Sequence, residues 1–215
     1  MKPLVIAPVI AIDGPAAAGK GTLARRLAAA LDLPYLDTGL LYRAVGRRVL
    51  DGGGDPADGA AAAAAAASLT PADLTRLDLR GPEADRAASL VAAQPLVRAR
   101  LLDFQRSFAA ERGAVLDGRD IGTVVFPAAA VKLFVTASLA ARAERRWRER
   151  RAGGTAPTLS EIEAEMAARD ALDAARAVSP LRPAPDAVLL DTTTLDPDAA
   201  FAQALAAVRA RLDAS

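Results

Sequence analysis

A chain of 215 residues with 27 Lys+Arg, 26 Asp+Glu and a net charge of +1 has room for one well-buried domain with a small insertion, and no charge excess that would draw it to nucleic acid or an anionic membrane. It contains no cysteine and no histidine, which excludes disulfides, thiolate or imidazole metal sites, and Ser-His or Cys-His nucleophilic pairs. Any metal must sit on oxygen ligands, which favours Mg²⁺, and a hydrophobic content of 52% with only 4% aromatics predicts an aliphatic core of Leu, Val and Ala.

The first 19 residues, MKPLVIAPVIAIDGPAAAG, share the outline of a signal peptide: one lysine, an apolar run, then small residues. Pro8 interrupts that run, and the small residues belong to a glycine loop. No apolar run approaches the ~20 residues of a membrane span. The expectation is a soluble cytoplasmic protein.

Residues 9–13, VIAID, form a continuous apolar run of strand length, suited to a parallel sheet buried on both faces. A helix is predicted over 21–31, with Leu23, Leu27 and Leu31 on one face and Pro34 ending it. Residues 38–50 form a second amphipathic segment. From 51 to about 81 the character changes: DGGGDPADG reads as a flexible connector, eight alanines over 60–67 as a plain helix, and TPADL as a helix start with Pro71 first. Helix is predicted again over 83–112, broken near Pro95. Strands follow at 114–120, running into a polar turn, and at 131–137. Next come a basic helix over 139–151, a long helix from about 159 to 177, a strand at 186–191 and a helix at 197–213. Strands alternating with helices imply an α/β domain with a parallel sheet.

GPAAAGKGT, residues 14–22, matches G-x-x-x-x-G-K between a strand and a helix, which is the context a phosphate-binding loop requires. Glycines let backbone N–H groups turn inward as an anion nest, the helix N-terminus adds partial positive charge, and Lys20 reaches the outer phosphates. The hydroxyl usual directly after the lysine comes one step later, at Thr22, behind Gly21. This G-K-G-T form resembles nucleoside monophosphate kinases.

The chain as a whole resembles bacterial cytidylate kinases. The resemblance is carried by IDGPAAAGKGT (12–22), LDTGLLYRAV (36–45), LDGRDIGTVVFPAAAVKLFVTAS (116–138), RDALDAARAVSPL (169–181) and DAVLLDTTTL (186–195), in the family's order over nearly the whole chain. Residues 51 to 85 match poorly and look short and alanine-rich. The resemblance implies a single α/β P-loop kinase domain over 1–215: a central parallel sheet flanked by helices, an acceptor-side insertion near 51–93, and a helical lid near 140–157. It implies transfer of the γ-phosphate of Mg²⁺–ATP to CMP or dCMP; because no long exposed apolar seam argues for a dimer and the net charge is near zero, a monomer with no nucleic-acid or membrane partner is expected. Gly14, Pro15, Ala16, Ala17, Ala18, Gly19, Lys20, Gly21 and Thr22 would hold ATP, with Thr22 on the metal directly or through water.

Phosphoryl transfer asks for positioning and charge neutralisation. An acceptor monophosphate carries about two negative charges, so several guanidiniums are needed beside ATP. The family's acceptor-phosphate arginines fall on Arg43, Arg119 and Arg176. Arg169, Asp173 and Arg176 stand at i, i+4 and i+7, on one helix face. From spacing alone they are as well read as a solvated salt-bridge stripe; in the family, Arg169 and Asp173 would address the acceptor ribose. Asp120, Arg98 and Ser89 match base-contacting positions, where a carboxylate accepts from the cytosine amino group. Thr38 and Tyr42 match acceptor-site positions, though Tyr42 also fits a core place. In the basic helix, arginines surround Trp147, a pattern also compatible with nucleic-acid binding. The resemblance makes it a lid, with Arg145 and Arg148 neutralising the transferred group and Gly153 and Gly154 as hinges. Another acceptor, such as UMP or AMP, remains open at this stage.

Overall fold

Ile10, Ala11 and Ile12 are fully buried, so β1 (Val9–Asp13) is covered on both faces, as its unbroken apolar run predicts. In the computed structural model, which describes residues 7–152, 154 and 157–214, β1 pairs in parallel with β3 (Ala114–Gly118) on one side and β4 (Val131–Thr136) on the other. β5 (Val188–Asp191) continues the sheet in parallel beyond β4, and β2 (Tyr35–Asp37) lies beyond β3, giving the order β2-β3-β1-β4-β5. β2 was not legible in the sequence: three residues between Pro34 and the next helix show no periodicity.

The chain divides into two compact units, Met1–Leu36 with Glu111–Ser215, and Asp37–Ala110. In the first, α1 (Lys20–Leu31) and α8 (Pro197–Leu212) cover one face of the sheet: Leu23, Ala24 and Leu27 meet Ile10, Ile12, Leu133, Val135 and Val208 in an aliphatic core. α6 (Leu139–Ala152) packs on α7 (Leu159–Ala174), where Ala143, Ile162 and Met166 close over Ala16 of the glycine loop. α1, α6 and α8 each follow a strand by a short connection, which brings those strand C-termini and helix N-termini to one edge of the sheet.

The second unit is helical: α2 (Thr38–Asp51), α3 (Gly59–Ala67), α4 (Pro82–Ala92) and α5 (Pro95–Ala109). The alanine run is helical, and Asp58 caps it by accepting from the N–H of Ala60 at 2.8 Å. Gly46 permits a close α2–α4 crossing, since a Cβ there would stand 2.8 Å from the Ala87 Cβ. TPADL forms only a single 3₁₀ turn, Pro71–Thr75, because Arg76 is held extended beyond it by Asp51 and Asp78. No helix among the described residues is long and apolar enough to cross a membrane.

Candidate active site

Gly14 begins the loop at φ +144°, and a Cβ there would stand 1.9 Å from the Val135 carbonyl oxygen; only glycine fits. Ala17 (φ +56°) and Gly19 (φ +91°) are also left-handed, the geometry that turns successive N–H groups to one side. Strain of this kind in a non-glycine residue collects at ligand-binding turns. Gly19 caps α1 without a side chain, so the first-turn amides are left for an anion. Lys20 curls back across the loop and donates to the Pro15 carbonyl at 2.7 Å. Burial lowers the Lys20 pKa well below its ordinary value and Arg119 pushes the same way, against Asp117 and Asp13. A polyphosphate arriving here would restore the missing countercharge.

The strand ends supply the rest. Asp117, at the end of β3, accepts from the Tyr35 hydroxyl at 3.0 Å. Its other oxygen lies 3.6 Å from where a Cβ on Gly21 would stand, over the first turn of α1. Asp13, at the end of β1, accepts from the amides of Ile121 (2.8 Å) and Gly122 (2.7 Å). Burial pushes Asp13 up to about 6, although those amides and Lys20 pull it down. Past β3 the polar turn becomes a single π-helical turn, Ile121–Val125, a form common at functional sites, and the buried Asp120 stands at its head.

Arg119 and Arg176 share one carboxylate. Arg119 Nε donates to Asp173 Oδ2 at 2.9 Å and Arg176 Nη2 to Asp173 Oδ1. Asp173 is only 1% exposed. Burial alone would raise its pKa, but Arg119 and Arg176 outweigh it and hold the group below the ordinary value. Two positive groups on one negative group leave an excess of positive charge. One expectation needs correction: Arg169, Asp173 and Arg176 do not share a helix face. α7 ends at Ala174, Ser179 turns left-handed (φ +58°), and the Leu181 amide returns to the Asp173 carbonyl at 2.9 Å, so Arg176 reaches Asp173 from the following turn. Arg169 lies on α7 and contributes to the fields at both Lys20 and Asp173.

In the second unit, Thr38 is buried at the start of α2. Arg43 Nε donates to Asp85 Oδ1 at 3.1 Å, and its guanidinium lies 4.0 Å from Asp37. Ser89 Oγ donates to the Asp85 carbonyl at 3.1 Å. The buried Arg98 lies over the Tyr42 ring, 5.7 Å from its centre, and donates to the Ala92 carbonyl at 3.4 Å. Arg43 and Ser89 therefore share Asp85, and Arg98 lies over Tyr42, within one helical unit.

On α6, Arg145 binds the hydroxyl and carbonyl of Thr192, and Arg148, with a side chain 66% exposed, pairs with Glu144. Gly154 is left-handed at φ +82°; Gly153 lies outside the described residues. Sequence reading passed over Arg142, which is buried and donates to Ala137 O (2.9 Å) and Ala16 O (3.4 Å) while pairing with Asp170 at 2.7 Å. It also passed over Thr192, whose hydroxyl meets Ala18 O at 3.0 Å. Nothing marked Arg142 among the neighbouring arginines. Asp13 and Asp117 had a usable signal: each is an acid ending an apolar strand of a parallel sheet.

The family model described as cytidylate kinase matches residues 10–210. The cytidylate kinase of Granulibacter bethesdensis is 66% identical over 201 residues, covering 94% of this chain and 96% of that protein. That of Acidiphilium cryptum is 67% identical over 196 residues, covering 91% and 92%. The chain belongs to the cytidylate kinase family. Among solved structures, a gluconokinase from Sinorhizobium meliloti is similar in fold, with a TM-score of 0.52 at 17% identity over 96% of this chain and 94% of that one. Family membership covers the glycine loop, the 117–127 turn and the Arg176 segment together, since all lie inside the matched span.

Proposed function

We propose that this chain transfers the γ-phosphate of ATP to CMP or dCMP, giving ADP and CDP or dCDP. One observation carries the reading beyond family membership: Arg119, which shares Asp173 with Arg176, also lies close enough to the glycine-loop lysine to push its pKa down. A polyphosphate donor and a monophosphate acceptor both need such cations. Lys20 and the amides of residues 14–22 hold the donor. Arg43, Arg119 and Arg176 are assigned to the acceptor phosphate, Arg169 and Asp173 to its ribose, Asp120, Arg98 and Ser89 to its base, and Thr38 and Tyr42 to the acceptor as well. The 51–93 insertion serves the acceptor, and the lid near 140–157, through Arg145 and Arg148, serves ATP.

In the step itself an acceptor phosphate oxygen attacks the γ-phosphorus, and the bond from that phosphorus to the β–γ bridging oxygen breaks. The nucleophile is already anionic, so no side chain need remove a proton. The described residues hold no cluster of three or more acidic side chains that could cage a metal. Mg²⁺ keeps waters and takes most of its ligands from phosphates; Thr22 and Asp117 are assigned to hold it. Bound there, Mg²⁺ would neutralise charge on the β- and γ-phosphates.

Nucleic-acid binding by α6 is disfavoured because its arginines are engaged within the protein: Arg142 with Asp170, Arg146 with Glu149, Arg148 with Glu144 and Arg150 with Glu165. The protein would then act in the cytoplasm on small nucleotides alone. A panel of CMP, dCMP, UMP, AMP and no acceptor, read by coupled ADP release, tests the function. ADP formation highest with CMP or dCMP is expected; a preference for AMP or UMP, or no acceptor-dependent ADP, overturns it.

A further inference from the structure

Asp13 is an expensive residue in an informative place. It directly precedes Gly14, it is 5% exposed, and burial makes its charge costly. Each carboxylate oxygen accepts one amide, Oδ1 from Ile121 and Oδ2 from Gly122, at 2.8 and 2.7 Å. These are the first two amides of the π-helical turn, donors that a helix leaves without internal partners. A carboxylate more than a hundred residues away in sequence satisfies them both. Immediately before them stand Asp120 and Arg119, and Arg119 continues to Asp173. On the other side, Lys20 lies close enough to Asp13 for each to shift the other. The glycine loop and the Arg119 turn, which continue two paired strands, are thus tied to one another by one further side chain. Gly122 is matched to this contact: a Cβ there would stand 3.4 Å from Asp13 Oδ2 and 3.1 Å from Lys132 Cδ.

We propose that Asp13 is a positioning residue for phosphoryl transfer, its two-oxygen grip on residues 121 and 122 setting the Arg119 guanidinium and Asp120 in register with Lys20. The inference rests on the acceptor role assigned above to Arg119 and Asp120. It predicts a split. Without the grip, the loop still forms and ATP still binds, but the acceptor meets a displaced arginine. An asparagine has one accepting oxygen and presents its NH₂ to the second amide, donor against donor. Loss of one hydrogen bond to a charged group corresponds to roughly a 10- to 100-fold effect.

The experiment is steady-state kinetics of wild type, Asp13→Asn and Asp13→Glu with ATP and CMP varied separately, alongside circular-dichroism melting. Asp13→Glu keeps the charge and moves it by one methylene. The expected result is a 10- to 100-fold fall in kcat/KM for CMP in both variants, with KM for ATP changed less than about threefold. A CMP efficiency within twofold of wild type, or a KM for ATP raised as much as the KM for CMP, overturns the proposal. Amide exchange in wild type is independent of how the variants fold: the amides of 121 and 122 should be strongly protected, and fast exchange there also overturns it. If wild type itself shows no CMP-dependent ADP release, the functional reading fails first. If wild type is active and only the split is missing, the Asp13 role alone fails.

Discussion

Replacing the buried Asp173 by asparagine should strip two partly buried guanidiniums of their shared counterion. The carboxylate accepts from Arg119 through one oxygen and Arg176 through the other, and it is almost wholly shielded from water. Asparagine keeps the shape and one acceptor, but turns an N–H₂ group toward one of the arginines. Breaking one side of a buried ion pair costs about 3–5 kcal/mol, because uncompensated charge is left in the interior. In a chain of this length each kcal/mol moves Tm by roughly 2–4 °C, so the melting midpoint should fall by about 6–20 °C at pH 7. The acceptor's phosphate supplies the missing negative charge, so saturating CMP should raise the variant's Tm by more than it raises wild type's. The pH dependence has a definite sign. Asp173 in the folded state titrates below its ordinary value of 3.8, so its contribution is complete above that pH and disappears as pH falls through the lower, folded-state value. The wild type should therefore lose stability below about pH 4, and the asparagine variant should show a flatter acid limb. Thermal unfolding from pH 3 to 7, with and without CMP, measures all of this. A variant melting within 2 °C of wild type at pH 7 would refute the reasoning, since the arginines would then not depend on the carboxylate.

Two glycines of the loop should respond differently to the same change. Gly14→Ala drives a Cβ to 1.9 Å from a backbone oxygen and adds an unfavourable φ, costing ~3–6 kcal/mol; Gly19→Ala meets no atom within 4 Å and adds only its left-handed strain, ~1–2 kcal/mol. Urea unfolding without nucleotide separates them, and equal midpoints would show that the Val135 contact is not what confines Gly14. Asp120→Asn should narrow the preference for CMP over UMP by roughly 5- to 100-fold, because a carboxylate facing the uracil carbonyl is an unpaired contact worth on the order of 1–3 kcal/mol. Turnover of both acceptors by wild type and variant decides it, and an unaltered ratio removes Asp120 from base choice.

The architecture was legible where one physical signal dominates. VIAID reads as a buried strand because nothing polar interrupts it until Asp13, and the broken helix at Pro95 follows from the missing amide. The glycine loop was legible because a phosphate nest demands a particular residue type at particular places. Arg176 shows where such reasoning stops: periodicity extends the helix to it, whereas Asp173 gathers Arg119 from β3's end and Arg176 from a turn, a three-way meeting no local pattern encodes. Arg142 was hidden for the opposite reason. Its neighbours are also arginines, and only tertiary packing distinguishes the one that is buried from those that are more exposed.

Three carbonyls of the glycine loop are held by side chains of the protein. Pro15 O accepts from Lys20, Ala16 O from Arg142 and Ala18 O from Thr192. Oxygens left facing the nest would repel an anion, and a slack loop would have to surrender its freedom each time a nucleotide arrived. Here that entropy is already spent in the folded chain, so the cradle is preorganised and most of the attraction felt by the incoming polyphosphate can appear as affinity.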